Sequence, residues 1–180
     1  MSLIEFARDT LEDYRRRLYR TLDGLTFDEL NWRPNAEANS IAFVVWHTSR
    51  VEDRWFQVFC QGVPDIWVRD EWHRRLGLGE TDVGVRYTVE QLGAFPKLTN
   101  DDIRGYFEAV RGGTLKYLED LDPAALDTSP GRSPFPEFDG GTGRFASFTI
   151  RRMFRQLIGE EMQHLGHVGF LRGLQRGLDG

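Results

Sequence analysis

The sequence predicts an all-α fold, a four-helix bundle with two long crossover connections. Three observations lead there. Four segments repeat apolar residues at three- and four-residue spacing, and polar residues able to cap a helix stand at the start of the later ones. No run of alternating Val, Ile and Thr between turn signals is long enough for a strand. The 180 residues suit a single domain spanning 1–180, because domains commonly run to roughly 100–200 residues. An apolar fraction of 40%, with 13% aromatic and 28% charged residues, is that of a chain that folds.

The first helix places Leu3, Ile4, Ala7, Leu11, Tyr14, Leu18, Leu22 and Leu25 on one face, with Arg8, Asp9, Asp13 and Arg15 to Arg17 left to water. Pro34 and the polar run "WRPNAEANS" interrupt the helical pattern, and Asn39 or Ser40 can cap the next helix. That second helix runs through Ile41, Val44, Thr48, Val51, Trp55 and Phe59. A third opens at "LTNDD", with Thr99, Asn100 or Asp101 as caps, and carries Ile103, Tyr106, Phe107, Val110, Leu118 and Leu121 inward; Gly112 and Gly113 weaken its middle. The fourth covers about 148–174 and turns Ile150, Phe154, Leu157, Ile158, Leu165, Val168 and Leu171 to the core. Of the connections, 61–98 is long for a bundle and carries Trp67, Trp72 and His73, while 123–146 is rich in Pro and Gly and reads as a flexible crossover without a catalytic signature.

Composition excludes several function classes. A formal charge of −5 and Arg-rich helices interleaved with acids argue against a duplex nucleic-acid surface. No stretch approaches the ~20 apolar residues of a membrane span, and the N-terminus lacks the apolar core of a signal peptide, so a soluble, cytoplasmic protein is expected. The single cysteine, Cys60, has no basic neighbour and reads as a buried structural thiol. There is no G-x-S-x-G, no Walker-type glycine loop and no G-x-G-x-x-G after a strand.

What remains is "LIGEEMQHLGHVGFL", which puts two acids and two histidines within the fourth helix. Glu160 and His164, four residues apart, stand about 40° apart around the axis and about 6 Å along it, so both can reach one ion. His164 and His167 could also converge, but Glu160 and His167 are about 10 Å apart along the helix, too far for all three to share one ion. A third ligand must come from elsewhere, and His47 on the second helix is the leading candidate. A His, carboxylate and His set leaves coordination positions open, as catalytic divalent sites do. Glu161 is the rival acid: it lies nearer the centre of the apolar arc and, once buried, needs a partner, either the ion or an arginine of a neighbouring helix. The competing reading makes these histidines hydrogen-bonded core residues.

The segments "LNWRPNAEANSIAFVVWHTSRVEDRWF" and "GEEMQHLGHVGFLRG", with Trp-His on the second helix and E-x-x-x-H followed by x-G-H on the fourth, resemble the DinB/YfiT-like family of bacterial four-helix-bundle metalloproteins. Within it, the branch akin to mycothiol-dependent maleylpyruvate isomerases is the most similar. The resemblance spans nearly the whole chain in helix order. It implies metal ligands at His47, Glu160 and His164, with His in place of the glutamate in other members, and a supporting role for His167. It also implies a divalent metal, zinc or alternatively nickel, a low-molecular-weight thiol as cosubstrate, and a small-molecule substrate. The long 61–98 connection is not part of the short family pattern.

On that basis the sequence predicts a metal-dependent thiol transferase or isomerase acting on a small electrophile. A metal-dependent hydrolase and a non-catalytic, stress-associated metal-binding helical protein are the alternatives, and a homodimer fits any of them. His167 or His73 could orient a ligand or move a proton near neutral pH. Arg50 or Arg69 would meet a substrate carboxylate or else face solvent. Trp67 and Trp72 would cover the site or else seal the core.

Overall fold

The computed structural model describes residues 1–141 and 143–177; residue 142, inside the second connection, and 178–180 lie outside the described set. Among the described residues the chain is all helical, with nine α-helices and no strand. Helix α1 (Leu3–Leu22) begins at Ser2, whose hydroxyl accepts from the Glu5 amide at 3.2 Å while the Glu5 carboxylate accepts from the Ser2 amide at 2.6 Å. This reciprocal cap satisfies two amides that the first turn leaves without partners. Its inner face is Ala7, Leu11, Tyr14, Leu18 and Leu22. Leu25 is buried as expected but stands outside the helix, because the chain turns through Gly24 in the left-handed region and restarts as the short α2 (Phe27–Asn31), capped by Thr26.

Ser40 caps α3 (Ile41–Asp53), the central helix, in which every residue but His47 is buried. The helical winding continues through Phe59 as expected, but from Arg54 to Gln61 it is a π-helix rather than an α-helix, ended by Gly62 at φ 69°. The wider turn buries Arg54 and Gln57 together with Trp55, Phe56 and Phe59. Apolar periodicity does not distinguish this winding, since Val51, Trp55 and Phe59 are buried in it all the same.

The 61–98 connection folds as three short helices, α4 (Ile66–Arg69), α5 (Trp72–Leu76) and α6 (Val89–Gly93). Thr99 then caps α7 (Asn100–Asp120) by exchanging hydrogen bonds with Asp102. Gly113 has a packing reason rather than a purely weakening one: a Cβ there would come within 2.9 Å of both Gln57 Nε2 and Ile66 Cδ1. A 3₁₀ turn (Pro123–Asp127) and α8 (Pro136–Asp139) lead to α9 (Ile150–Arg176), capped by Thr149. Helix α3 packs on α7 and α9, and α1 closes the ring against the same two, giving the four-helix bundle.

The bundle is crossed by an ionic cluster. Arg111 of α7 makes two hydrogen bonds of 2.9 Å to Glu52 of α3 and one of 2.9 Å to Glu161 of α9, and it also donates to the Leu11 carbonyl of α1. Glu52, Arg111 and Glu161 are all fully buried. Burial raises the Glu161 carboxyl well above the ordinary range, because one guanidinium serves two carboxylates.

Candidate metal centre

On α9 the inward positions run Leu157, Glu161, His164, Val168 and Leu171, so two polar residues occupy the seam that apolar residues fill on either side. Glu160 stands beside that seam and faces α3 instead. One donor atom from each of His47, Glu160 and His164 falls within 4.8 Å of the other two. His164 Nε2 lies 3.1 Å and His47 Nε2 3.6 Å from the same oxygen, Oε1 of Glu160. The two histidine rings meet nearly edge to face at 5.1 Å. The side chains are 12%, 27% and 21% exposed respectively, so the cluster is shielded and yet open on one side.

The orientation of His47 bears on what this cluster can hold. Its Nδ1 lies 2.5 Å from the Val83 carbonyl, which can only accept, so Nδ1 carries the proton. In the neutral ring Nε2 then presents a lone pair toward the Glu160 carboxylate, an arrangement that a cation between them relieves. The hydrogen bond from His164 is the largest influence holding the Glu160 carboxyl down to about 2, keeping it anionic. Two imidazoles and a carboxylate form a donor set suited to zinc and similar divalent ions. His164 Nδ1 is buried with no hydrogen-bond partner among the described residues.

The other expected residues go elsewhere. Glu161 takes the arginine alternative and is held by Arg111. His167 stacks on His164 with ring centres 6.1 Å apart, and burial keeps its pKa below the usual imidazole value. His73 is outside the cluster: it is buried, with Nδ1 3.2 Å from the Trp67 carbonyl and Nε2 3.6 Å from Glu80. Arg50 neither faces solvent nor awaits a substrate. It is fully buried, bonded to Asp53, Asp65, Tyr106 and the Asp82 carbonyl, because its long side chain turns inward toward α4 and α7. Arg69 pairs with its neighbour Asp70. Trp67 is sealed in the core under Arg50, and Trp72 packs on Tyr106, so neither covers the histidines. Cys60 is half-buried and burial pushes its thiol up to about 12, which fits the inert role expected of it.

The second connection requires a larger correction. Phe135 and Phe145 from it, with Phe148 and with Trp55 of the π-helix, wall a cleft of about 450 Å³ that reaches His47 and Glu160. The Pro and Gly content of this segment predicts a flexible crossover, whereas its rings pack against Trp55. The available signal was its phenylalanines, which a solvated linker does not need. Arg54 fastens the wall, donating to the Pro134 carbonyl at 2.7 Å and to Glu137 at 2.5 Å while pairing with Asp65.

No helix of the described residues is long and apolar enough to cross a membrane. None of the curated proteins matches the chain. Among solved structures, a conserved protein from Enterococcus faecalis, known from its crystal structure, has the same fold, with a TM-score of 0.79 over 97% of each chain at 20% sequence identity. A family model described as the DinB superfamily matches residues 10–168, a span that includes all four long helices in part or whole and all three clustered side chains. The chain belongs to the DinB superfamily.

Proposed function

We propose that this protein is a divalent-metal-dependent enzyme, a thiol transferase or isomerase that acts on a small electrophile in the cleft. The observation that carries the proposal is the convergence of His47, Glu160 and His164, the first two of which line an aromatic-walled cleft. These three would hold the ion, zinc or alternatively nickel. Once bound, such an ion supplies stabilisation of a thiolate, the form of a low-molecular-weight thiol that attacks an electrophilic carbon. The choice of thiol chemistry rests on the resemblance of "GEEMQHLGHVGFLRG" and the Trp-His pair to thiol-dependent isomerases.

The protein's own residues have separate tasks. The Val83 carbonyl keeps His47 in the tautomer that leaves Nε2 free. Glu160 brings negative charge to offset the cation. His167, neutral at pH 7 by its lowered pKa, stands beside His164 as a group able to accept a proton. Trp55, Phe135, Phe145 and Phe148 give one side of the cleft an apolar lining.

The test is metal analysis of purified protein after careful reloading, for the wild type and for His47→Ala and His164→Ala. About one ion per chain, lost in both variants, is the expected result, followed by metal-dependent conjugation in a screen of low-molecular-weight thiols against small electrophiles. No stoichiometric metal would end the proposal. Metal-dependent ester or amide hydrolysis without any thiol would replace it with the hydrolase alternative.

A further inference from the structure

His47 and Arg50 stand about one turn apart on α3, and they hold two successive carbonyls of the same loop. His47 Nδ1 donates to the carbonyl of Val83, 2.5 Å away, and Arg50 Nε donates to that of Asp82 at 2.8 Å. Each peptide unit is planar, so only the φ and ψ of Val83 separate the two carbonyl directions. On the far side of Val83 the backbone is pinned by contact. Gly84, at φ 74°, lies where a Cβ would come within 2.9 Å of both Phe43 and Trp46 and 3.2 Å of His47 Nδ1. The Val83 side chain is itself buried. The carbonyl that sets the His47 tautomer therefore takes its direction from two anchors, the glycine contact and the bond from Arg50.

The direction of that bond is fixed from behind. One terminal nitrogen of the Arg50 guanidinium donates to Asp65 at 3.1 Å, and the other to Tyr106 at 3.1 Å and to Asp53 at 3.3 Å. The group lies 4.8 Å over the Trp67 ring. Asp53 is held in turn by the Ile66 and Trp67 amides, both at 2.9 Å, and by the Tyr106 hydroxyl at 2.7 Å. A guanidinium is a rigid plane, so holding its terminal nitrogens fixes the line along which Nε–H points. That line ends on the Asp82 carbonyl. The contacts to Asp53 and Asp65 offset the cost of burying the charge. The Nε bond has a different reach, since it crosses to the loop that faces His47. A lysine could serve both carboxylates from its one nitrogen, but it has no second donor further back along the side chain.

We propose that Arg50 is a positioning residue for His47: through the 82–83 peptide it orients the Val83 carbonyl, and so keeps the His47 proton on Nδ1 and Nε2 turned toward Glu160. The inference deepens the function proposed above and rests on His47 being a metal ligand, as that reading has it.

The test is heteronuclear NMR on metal-free protein, together with zinc titration against a chromogenic chelator. In the wild type the His47 Nδ1–H should appear as a slowly exchanging proton, held from solvent by the Val83 carbonyl. Arg50→Lys keeps a cation between Asp53 and Asp65 but removes the donor to Asp82. Gly84→Ala pushes the loop off Phe43 and Trp46 and leaves the Arg50 ion pairs in place. Both should lose the Nδ1–H signal and weaken zinc binding by about tenfold, the lower end for outer partners of metal-ligating histidines. Tyr106→Phe controls for a merely structural role: it loosens Asp53 and Arg50 and should lower unfolding stability, while keeping the Nδ1–H signal and holding zinc affinity within about twofold. An Arg50→Lys protein with the wild-type Nδ1–H signal and zinc affinity, or a Tyr106→Phe protein that loses both to the same degree, would overturn the inference. Should Arg50→Lys not fold, the wild type decides. Its Arg50 Nε–H and His47 Nδ1–H must open to hydrogen exchange together, with one denaturant dependence, and separate openings would overturn the inference. Loss of the Nδ1–H in both loop variants of a protein that binds no zinc would support the positioning role and overturn the metal-dependent reading, whereas zinc binding that Arg50→Lys leaves unchanged would overturn the positioning role alone.

Discussion

Glu160 and Glu161 are neighbours separated by about 100° around α9, and that angle sends one to His47 and His164 and the other to Arg111. Their amide variants should therefore separate cleanly. Glu160→Gln is expected to weaken divalent-metal binding by at least about tenfold, the loss that even supporting residues of metal sites produce. Glu161→Gln should leave affinity within about twofold, because Glu161 is held by Arg111 and not by the histidines, and should cost about 1–3 kcal/mol of stability, the loss of a charged hydrogen-bond partner inside a buried cluster. Competition with a chromogenic chelator and urea unfolding check the two halves. At Cys60 the thiol is raised to about 12 by burial, so at pH 8 only about one in ten thousand chains carries the thiolate, the species that alkylates. Iodoacetamide should leave the native protein unmodified at pH 8 and label it promptly in denaturant, as intact mass spectrometry would show.

The aromatic wall of the cleft depends on one residue of the π-helix. Arg54 is buried and bridges Asp65, Glu137 and the Pro134 carbonyl, so Arg54→Met leaves Asp65 to Arg50 alone and the Pro134 carbonyl without its donor, and should cost about 1–3 kcal/mol in urea unfolding. Amide exchange should rise most across residues 132–139, since that segment loses its fastening. The long helices themselves were legible in the sequence. Val51, Trp55 and Phe59 are buried as their spacing implies, and Ser40 and Thr99 cap as expected. The π-helix was not legible, because inserting one extra residue per turn moves polar groups such as Gln57 inward without disturbing the apolar ones that periodicity reads. Nor was the structure of residues 123–146: Pro and Gly report where regular helix stops, but the phenylalanines pack through tertiary partners that lie far away in sequence, Trp55 above all. Of the candidate cluster, helical geometry brought Glu160 and His164 together, whereas the Val83 carbonyl behind His47 belongs to a loop whose course no local pattern reveals.

At the scale of the whole molecule, Arg111 ties all four long helices through Glu52, Glu161 and the Leu11 carbonyl. Removing only the arginine strands two buried carboxylates, so Arg111→Met should cost about 3–5 kcal/mol. Replacing all three charged residues together by apolar ones should recover most of that loss, and a denaturant series on the single and triple variants measures the difference. Recovery in the triple variant would show that the cluster serves to fix the rotation of α9 more than to add net stability. The bond from His47 to Val83 links a different pair of regions: it joins the candidate ligand to the loop that carries Arg86. Were an ion to bind at the cluster, its capture and the order of this loop would be linked through that bond, each favouring the other by the same factor. Adding zinc to metal-free protein should slow amide exchange at residues 83–86, and any agent that pulls this loop away should release the ion in proportion.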